Sequence, residues 1–370
     1  MDKILDNPLD CTACMACYRS CNYNALEQRK DNLGFIYPEI IVSECITCHK
    51  CQDKCPIYKD NLKPLLNSGN PRLYLGKHKN VDVLKQSTSG GLFTVLSDAI
   101  LEQGGTVYGV VFDEELKVVH TRAETNEQRD KMRFSKYVQT DIKDMYSLIM
   151  KDLIKGKKVL FTGNPCQCAG IKTIFNKTRY YNNLYIIDIM CFGIPSPKLY
   201  EDYKSLLEQE NNGQLKSIQF RSKKYPWLRV NSNKGMLYEI NGIEKEDNRY
   251  YDVFTNFPLL IRECCYNCQF TSTQRVGDIT LADYWGIETI DKSLYDSNGV
   301  SAILINNEKG QALFDYNQSD LSYEIRDMSE ILANQERLHK PATRPSNKDE
   351  LVNLYLESDL DTLFKHLKND

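Results

Sequence analysis

Eight cysteines in two matching runs carry the chemistry of this chain. "CTACMACYRSC" sets Cys11, Cys14, Cys17 and Cys21 at C-x2-C-x2-C-x3-C spacing, and "CITCHKCQDKCP" repeats it at Cys45, Cys48, Cys51 and Cys55 before Pro56. Such a repeat is an internal duplication. Three thiolates at these intervals can wrap one face of an iron–sulfur cubane, while the fourth, after three intervening residues, points to a neighbouring one. The spacing therefore predicts one 4Fe-4S cluster on Cys11, Cys14, Cys17 and Cys55, and a second on Cys45, Cys48, Cys51 and Cys21. The competing reading is a pair of zinc sites, but structural zinc takes two separated C-x-x-C pairs and has no use for a triplet. Asn22 stands where a proline often follows the first quartet, which bears on the local path of the chain and not on ligation.

A further C-x-x-C, Cys265 and Cys268 in "RECCYNCQF", lies far from the duplicated region and supplies only two of the four thiolates a cluster or zinc ion needs. The elements upstream suggest where the others come from. "GGLFTVLSDAILEQGG" puts Leu92, Leu96 and Ile100 on one helix face, with Ser87, Thr88 and Ser89 ahead as caps and Gly104 and Gly105 behind. The strand "TVYGVVF" follows, then a helix over about 141 to 154, the strand "KVLFTG", a helix beginning near Cys168 and the strand "LYIIDIM". Alternation of this kind predicts an α/β domain with a largely parallel sheet. Cys166 then follows the strand at 158–162 and Cys191 the strand at 184–190, both at carboxyl ends, where α/β proteins gather their ligands. With Cys265 and Cys268 they make four. Each single cysteine also fits an ordinary buried thiol, the reading favoured for Cys168 and Cys264.

Two other stretches suit a ligand. "QSTSGGL", Gln86 to Leu92, is a hydroxyl- and glycine-rich turn opening a helix, which can offer backbone N–H groups to a flavin pyrophosphate or simply cap the helix. "FRSKKYPWLRV", Phe220 to Val230, interleaves Arg221, Lys223, Lys224 and Arg229 with Tyr225 and Trp227, and reads either as a grip on an anion or as a solvated strand edge.

The chain has 370 residues, enough for a small domain and a large one. We expect a two-cluster ferredoxin domain over 1–60 with strand material at Ile36 to Val42, a Pro-, Asn- and Lys-rich linker over 61–84, and a catalytic α/β domain over 85–345. A C-terminal helical segment over 346–370 has Leu356, Leu360, Leu363 and Leu367 at helical spacing and reads as one packing helix. Net charge is −3 with signs interspersed, no footprint for nucleic acid. No apolar run reaches the ~18 to 20 residues of a membrane span. The acidic start "MDKILDNPLD" lacks the basic region of a signal peptide, so a cytoplasmic location is expected. Fourteen cysteines in a reducing compartment point to metal or redox chemistry rather than disulfides.

The chain resembles the coenzyme F-420 hydrogenase/dehydrogenase beta-subunit family, in its version with an N-terminal two-cluster ferredoxin domain. The resemblance rests on "STSGG" (87–91), "SKYVQT" (135–140), "TGNPCQCAGIK" (162–172), "CFGIPS" (191–196), "CYNCQF" (265–270) and "GDITLADYWGI" (277–287). It implies an FAD-binding α/β domain with its own 4Fe-4S cluster on Cys166, Cys191, Cys265 and Cys268, three clusters in all. It also implies flavin contacts from Ser87, Thr88, Ser89, Gly90 and Gly91, with Lys136 and Asp283 near the isoalloxazine or the substrate. Asn164 departs from the family's usual Thr, Cys168 from an aliphatic residue, and Phe192 from a His. The function this implies is an oxidoreductase passing electrons from ferredoxin or a partner subunit through the clusters to FAD and on to a small-molecule substrate, in a bacterial polysaccharide-related pathway. The alternative is an electron-transfer subunit of a larger hydrogenase or dehydrogenase complex, including coenzyme F-420 reduction.

Overall fold

The structure is a computed structural model describing residues 1–221, 228–239 and 249–369. The N-terminal lobe is built on a short antiparallel hairpin, β1 (Leu26–Lys30) and β2 (Ile36–Ile40), with Leu26 opposite Ile40. Two one-turn helices, Ala16–Ser20 and Lys50–Asp53, occupy equivalent places in the duplicated cysteine runs. The residue before each, Met15 and His49, takes a left-handed conformation, φ 58° and 60°. That shared kink is how two matching sequences fold alike. The lobe's own core is small, Ile4, Leu5, Leu26 and Ile40 packing with Cys17, Cys51 and Cys55, as expected where metal supplies part of the stability.

Part of the segment expected as a linker is not one. Residues 72–78 form β3 (Arg72–His78), inserted between two later strands of the large sheet, and Val81–Lys85 is helical. Leu73, Tyr74 and Leu75 are all buried, a doubly covered strand whose short apolar run is hidden among Pro, Asn and Lys neighbours. The connection between lobes is correspondingly shorter.

The large sheet contains β3, β4 (Thr106–Phe112), β5 (Val118–Ala123), β6 (Val159–Gly163) and β7 (Leu184–Ile189). A separate three-stranded antiparallel sheet of β8 (Leu215–Gln219), β9 (Arg229–Ser232) and β10 (Gly235–Glu239) intervenes in the chain. The large sheet is then completed by β11 (Ile279–Asp283), β12 (Ser301–Ile305) and β13 (Leu321–Arg326), in spatial order β13-β3-β12-β11-β7-β6-β4-β5. β4, β6, β7 and β11 are mutually parallel neighbours, flanked by antiparallel β5 and β12. Helices cover both faces. Leu92–Leu101 and Glu308–Tyr316 enclose one core around Leu96, Ile100, Leu313 and Phe314. Met145–Ile154 and Pro165–Phe175 enclose the other, around Tyr146, Ile149, Ile171 and Phe175. The fold is thus the predicted α/β with a mostly parallel sheet.

The second core does not stop at the large domain. Ala13, Cys14, Met15, Ala16 and Phe35 of the N-terminal lobe belong to it. Gly170 permits this approach: a Cβ there would lie 2.6 Å from Tyr146 Oη and 2.8 Å from Cys14 Cβ. The C-terminal segment is two helices, Lys348–Glu357 and Leu360–Asn369, rather than one. Ser358 ends the first and Asp359 caps the second, accepting from the Thr362 amide at 2.8 Å. Leu360 and Leu363 are buried as expected of a packing face.

Candidate functional site

All fourteen cysteines are free thiols, and the fold gathers most of them into three groups. In the first, Cys17 is pushed well up from the ordinary thiol range by burial and then by the charges of Cys14, Cys11 and Cys55. Burial, assisted by Cys11, likewise pushes Cys14 up to about 11. In the second, Cys21, Cys45, Cys48 and Cys51 line one small cleft at the lobe's outer end, where Cys48 is exposed. These are the two crossed quartets of the spacing argument. Crossing has a simple cause: the helix Ala16–Ser20 carries Cys17 in its first turn and leads into Cys21, and Lys50–Asp53 carries Cys51 and leads towards Cys55, so each turn contributes one sulfur to each group.

The third group sits at the carboxyl edge of the large sheet. Cys166 lies in the first turn of the helix Pro165–Phe175, which Asn164 and Gln167 cap reciprocally after β6. Cys191 follows β7, and Cys265 lies in the turn Glu263–Asn267, its Sγ accepting from the Ile194 amide at 3.4 Å. Cys166, Cys191, Cys264, Cys265 and Cys268 all line one cleft. Burial raises Cys191 to about 12, followed by the charge of Cys268, and Cys166 is raised well up by burial and then by Cys191. Cys264 is thus not a remote core thiol but a fifth sulfur at the cleft. Cys168 is a core thiol, fully buried and donating to the carbonyls of Gly163 and Ile187.

Among the described residues no three Cys, His, Asp or Glu side chains converge on a single-ion geometry. The thiols instead surround clefts. Buried thiolates that repel one another need a positive centre to ionise, and a polynuclear iron core bound by four cysteines meets that need. The charged lining of the third cleft fits as well. Arg337 stacks 4.1 Å above Phe192, donates to the carbonyls of Lys340 and Pro341, and keeps a buried Nε with no hydrogen-bond partner among the described residues. A cation therefore stands beside the residue where the family's His is replaced.

One buried ion pair fixes this cleft. Asp188 of β7 accepts from Arg275 Nη2 at 2.9 Å, from Thr280 Oγ1 at 2.7 Å and from the Gly277 amide at 2.7 Å. Arg275 also donates to the carbonyls of Phe270 and Ser272. The loop carrying Cys265 and Cys268 is thereby tied to the strand that presents Cys191. Asp188 sits inside the strand "LYIIDIM", and a charge in a strand expected to be buried was the available signal for a paired partner.

The residues expected around a flavin also lie along the carboxyl edge, although none of them lines the third cleft. Ser301, opposite Asp283 in the β11–β12 ladder, accepts from the Gly90 amide at 2.9 Å and donates to Ser89 Oγ at 3.1 Å. Ser87 donates to the Val83 carbonyl and Ser89 to that of Val300, so these two hydroxyls hold the turn in place. Gly91, at φ 80°, is the N-cap of the following helix. Thr88 Oγ1 accepts from the Ser135 amide at 3.0 Å, bringing the turn against the segment that bears Lys136. Lys136 donates to the carbonyls of Arg133 and Phe134, and burial lowers its pKa to about 7. Asp283 is paired with Arg221 at 2.9 Å, and Arg221 also reaches Tyr137. Lys223, Lys224, Tyr225 and Trp227 lie outside the described residues.

Residues 156–331 match the family model for the C-terminal part of the coenzyme F420 hydrogenase/dehydrogenase beta subunit. Residues 10–58 match the 4Fe-4S dicluster domain. A comparison with curated protein sequences finds no match. Among solved structures, the chain is similar to one from the xenon-derivatised F420-reducing [NiFe] hydrogenase complex of Methanosarcina barkeri. The TM-score is 0.50 at 16% identity, with 80% of this chain and 95% of that chain covered. At that identity the likeness speaks for the fold.

Proposed function

We propose that the chain, which belongs to the coenzyme F420 hydrogenase/dehydrogenase beta-subunit family through residues 156–331 and carries a 4Fe-4S dicluster domain over 10–58, is an oxidoreductase holding three 4Fe-4S clusters and FAD. Iron–sulfur electron transfer follows from the family. The ligand sets are our reading: Cys11, Cys14, Cys17 and Cys55; Cys21, Cys45, Cys48 and Cys51; Cys166, Cys191, Cys265 and Cys268. The observation that carries it is the serial arrangement of the three thiol groups. The middle group shares two helices with the outer one, and Cys14 lies close enough for its charge to act on Cys166, as does Cys264 for its charge to act on Cys11.

When bound, the clusters supply one-electron transfer and the flavin exchanges single electrons for a pair. The chain's own residues position and tune. Lys136, held by the carbonyls of Arg133 and Phe134 and set over the Phe112 ring, offers an ammonium to an anionic part of flavin or substrate, and Asp283, steadied by Arg221, is suited to relay a proton. Ser87 to Gly91 form the turn beside them. Exposed Val42 and Ile46 near Cys48 suit docking of ferredoxin or a partner subunit at the outer group. The solved neighbour's membership in a hydrogenase complex supports a partner subunit in particular. No helix among the described residues is long and apolar enough to cross a membrane. A cytoplasmic setting and a small-molecule substrate in bacterial polysaccharide chemistry complete the proposal, on composition and resemblance.

Anaerobically purified protein should be brown, contain about twelve irons per chain and show flavin absorbance. Colourless protein without iron would sink the reading.

A further inference from the structure

Arg262 stands immediately before the turn that carries Cys264 and Cys265, and it is 0% exposed. Its Nε donates to the Cys11 carbonyl at 2.6 Å, Nη1 to Gln139 Oε1 at 3.0 Å and Nη2 to the Ile36 carbonyl at 2.9 Å. The guanidinium lies 4.1 Å from the Tyr37 ring centre and 5.4 Å from that of Phe35. Every one of these partners is neutral. Among the described residues Arg262 forms no ion pair with Asp or Glu, whereas Arg275, the other deeply buried arginine of this region, is met by Asp188. Burying a cation without a counter-charge is costly, and the neighbours able to become negative are the sulfurs of Cys11, Cys264 and Cys265 and the phenol of Tyr37, which burial pushes up to about 12 and so keeps neutral.

We infer that Arg262 is the counter-charge shared by the two inner thiol groups, and that its charge raises the reduction potential of the iron–sulfur centres they hold. The inference rests on the cluster occupancy proposed above. Each one-electron reduction, with the electron supplied by a low-potential one-electron carrier, adds one unit of negative charge at a centre. A fixed, dehydrated cation favours the reduced form there. The outer group faces solvent, where the charge of a neighbour such as Lys50 is screened. Electrons entering at Cys48 are thereby drawn inward. Arg262 is a positioning residue in this account, acting through the field it imposes rather than by touching substrate.

A plain structural role, pinning the N-terminal lobe through three hydrogen bonds, is the alternative to be separated. Full-length wild type, Arg262→Lys and Arg262→Gln, purified anaerobically, would be compared by iron content and by redox titration followed by electron paramagnetic resonance. Gln keeps two amide donors and loses the charge; Lys keeps the charge and loses the planar fork that reaches three acceptors at once. The expected result is a fall in at least one midpoint in Arg262→Gln by a roughly tenfold shift in the oxidised-to-reduced ratio, about 59 mV for one electron. Arg262→Lys should stay near wild type, and the signal that disappears in Cys48→Ser should not move. If Arg262→Gln fails to hold iron, iron retained by Arg262→Lys supports the inference equally. Wild-type midpoints in an iron-replete Arg262→Gln protein, or equal damage in both variants, would overturn it. Iron absent from the wild type itself would instead refute the proposed function.

Discussion

Gly170→Ala is a small change placed where the two lobes meet most closely. The added Cβ would sit 2.6 Å from Tyr146 Oη, 2.8 Å from Cys14 Cβ and 3.1 Å from the Cys14 carbonyl oxygen. Carbon atoms pack best at about 3.5–4.0 Å, so the Cys14 loop must retreat by at least about 0.7 Å. It cannot do so freely, because Tyr146 donates to the Cys14 carbonyl and Arg262 to that of Cys11. Overpacking of this kind costs about 1–3 kcal/mol, which lowers the melting temperature of a domain this size by about 2–6 °C. The loop that moves also bears two of the proposed ligands of the middle group, so electron flow from the outer group to the third cleft should slow. Anaerobic thermal unfolding, together with stopped-flow reduction by a one-electron donor, reads both effects. Gly69→Ala, where a Cβ would meet nothing within 4 Å, is the control. A Gly170→Ala protein that melts with wild type and accepts electrons at the same rate would show that close packing does not set the spacing between the lobes.

Cys265→Ser should remove about four irons and spare the rest, read by iron analysis; unchanged iron would exclude Cys265 as a ligand. Cys264→Ser, by contrast, should leave iron content intact if the fifth sulfur of the cleft is not a ligand. Asp188→Ala leaves Arg275 buried and unpaired, and the loss of one partner of such a pair costs about 3–5 kcal/mol; denaturant midpoints should fall accordingly, with iron at the third group lost first. Lys136 has its pKa lowered by burial to about 7 from 10.5. Below about 7 it is protonated both folded and unfolded, and between those two values only the unfolded chain holds the proton, so its contribution to stability rises with pH through that window. Lys136→Met should flatten that rise. Its positive charge toward a substrate is lost in the folded protein around pH 7, so turnover of an anionic substrate by wild type should fall as pH climbs past about 7, and equal pH profiles for the two proteins would exclude the role.

The spacing of the two N-terminal runs made their crossed grouping legible because it is a local property: a helix of one turn that carries the third cysteine of each run and leads to the fourth decides where both point. The parallel strands β4, β6 and β7 were legible for a similar reason, each being a doubly covered apolar run of ordinary length next to a helix. β3 was not, since seven residues of strand lay within polar and proline-rich neighbours and gained their meaning only from β12 and β13, more than two hundred residues away. Cys264 illustrates the same limit at the site. Next to a C-x-x-C pair it reads as a bystander, and only the meeting of the β6, β7 and Glu263–Asn267 segments puts it on the cleft wall. Arg262 opens the motif "RECCYNCQF" with nothing to mark it, because a surface arginine and a buried one look alike in a sequence. What distinguishes them is what surrounds the charge, here two aromatic rings, two carbonyls and an amide with no carboxylate among them. Local spacing can announce ligands, but the groups that set how readily those ligands' metal accepts an electron come from whichever distant segments the fold presses against it.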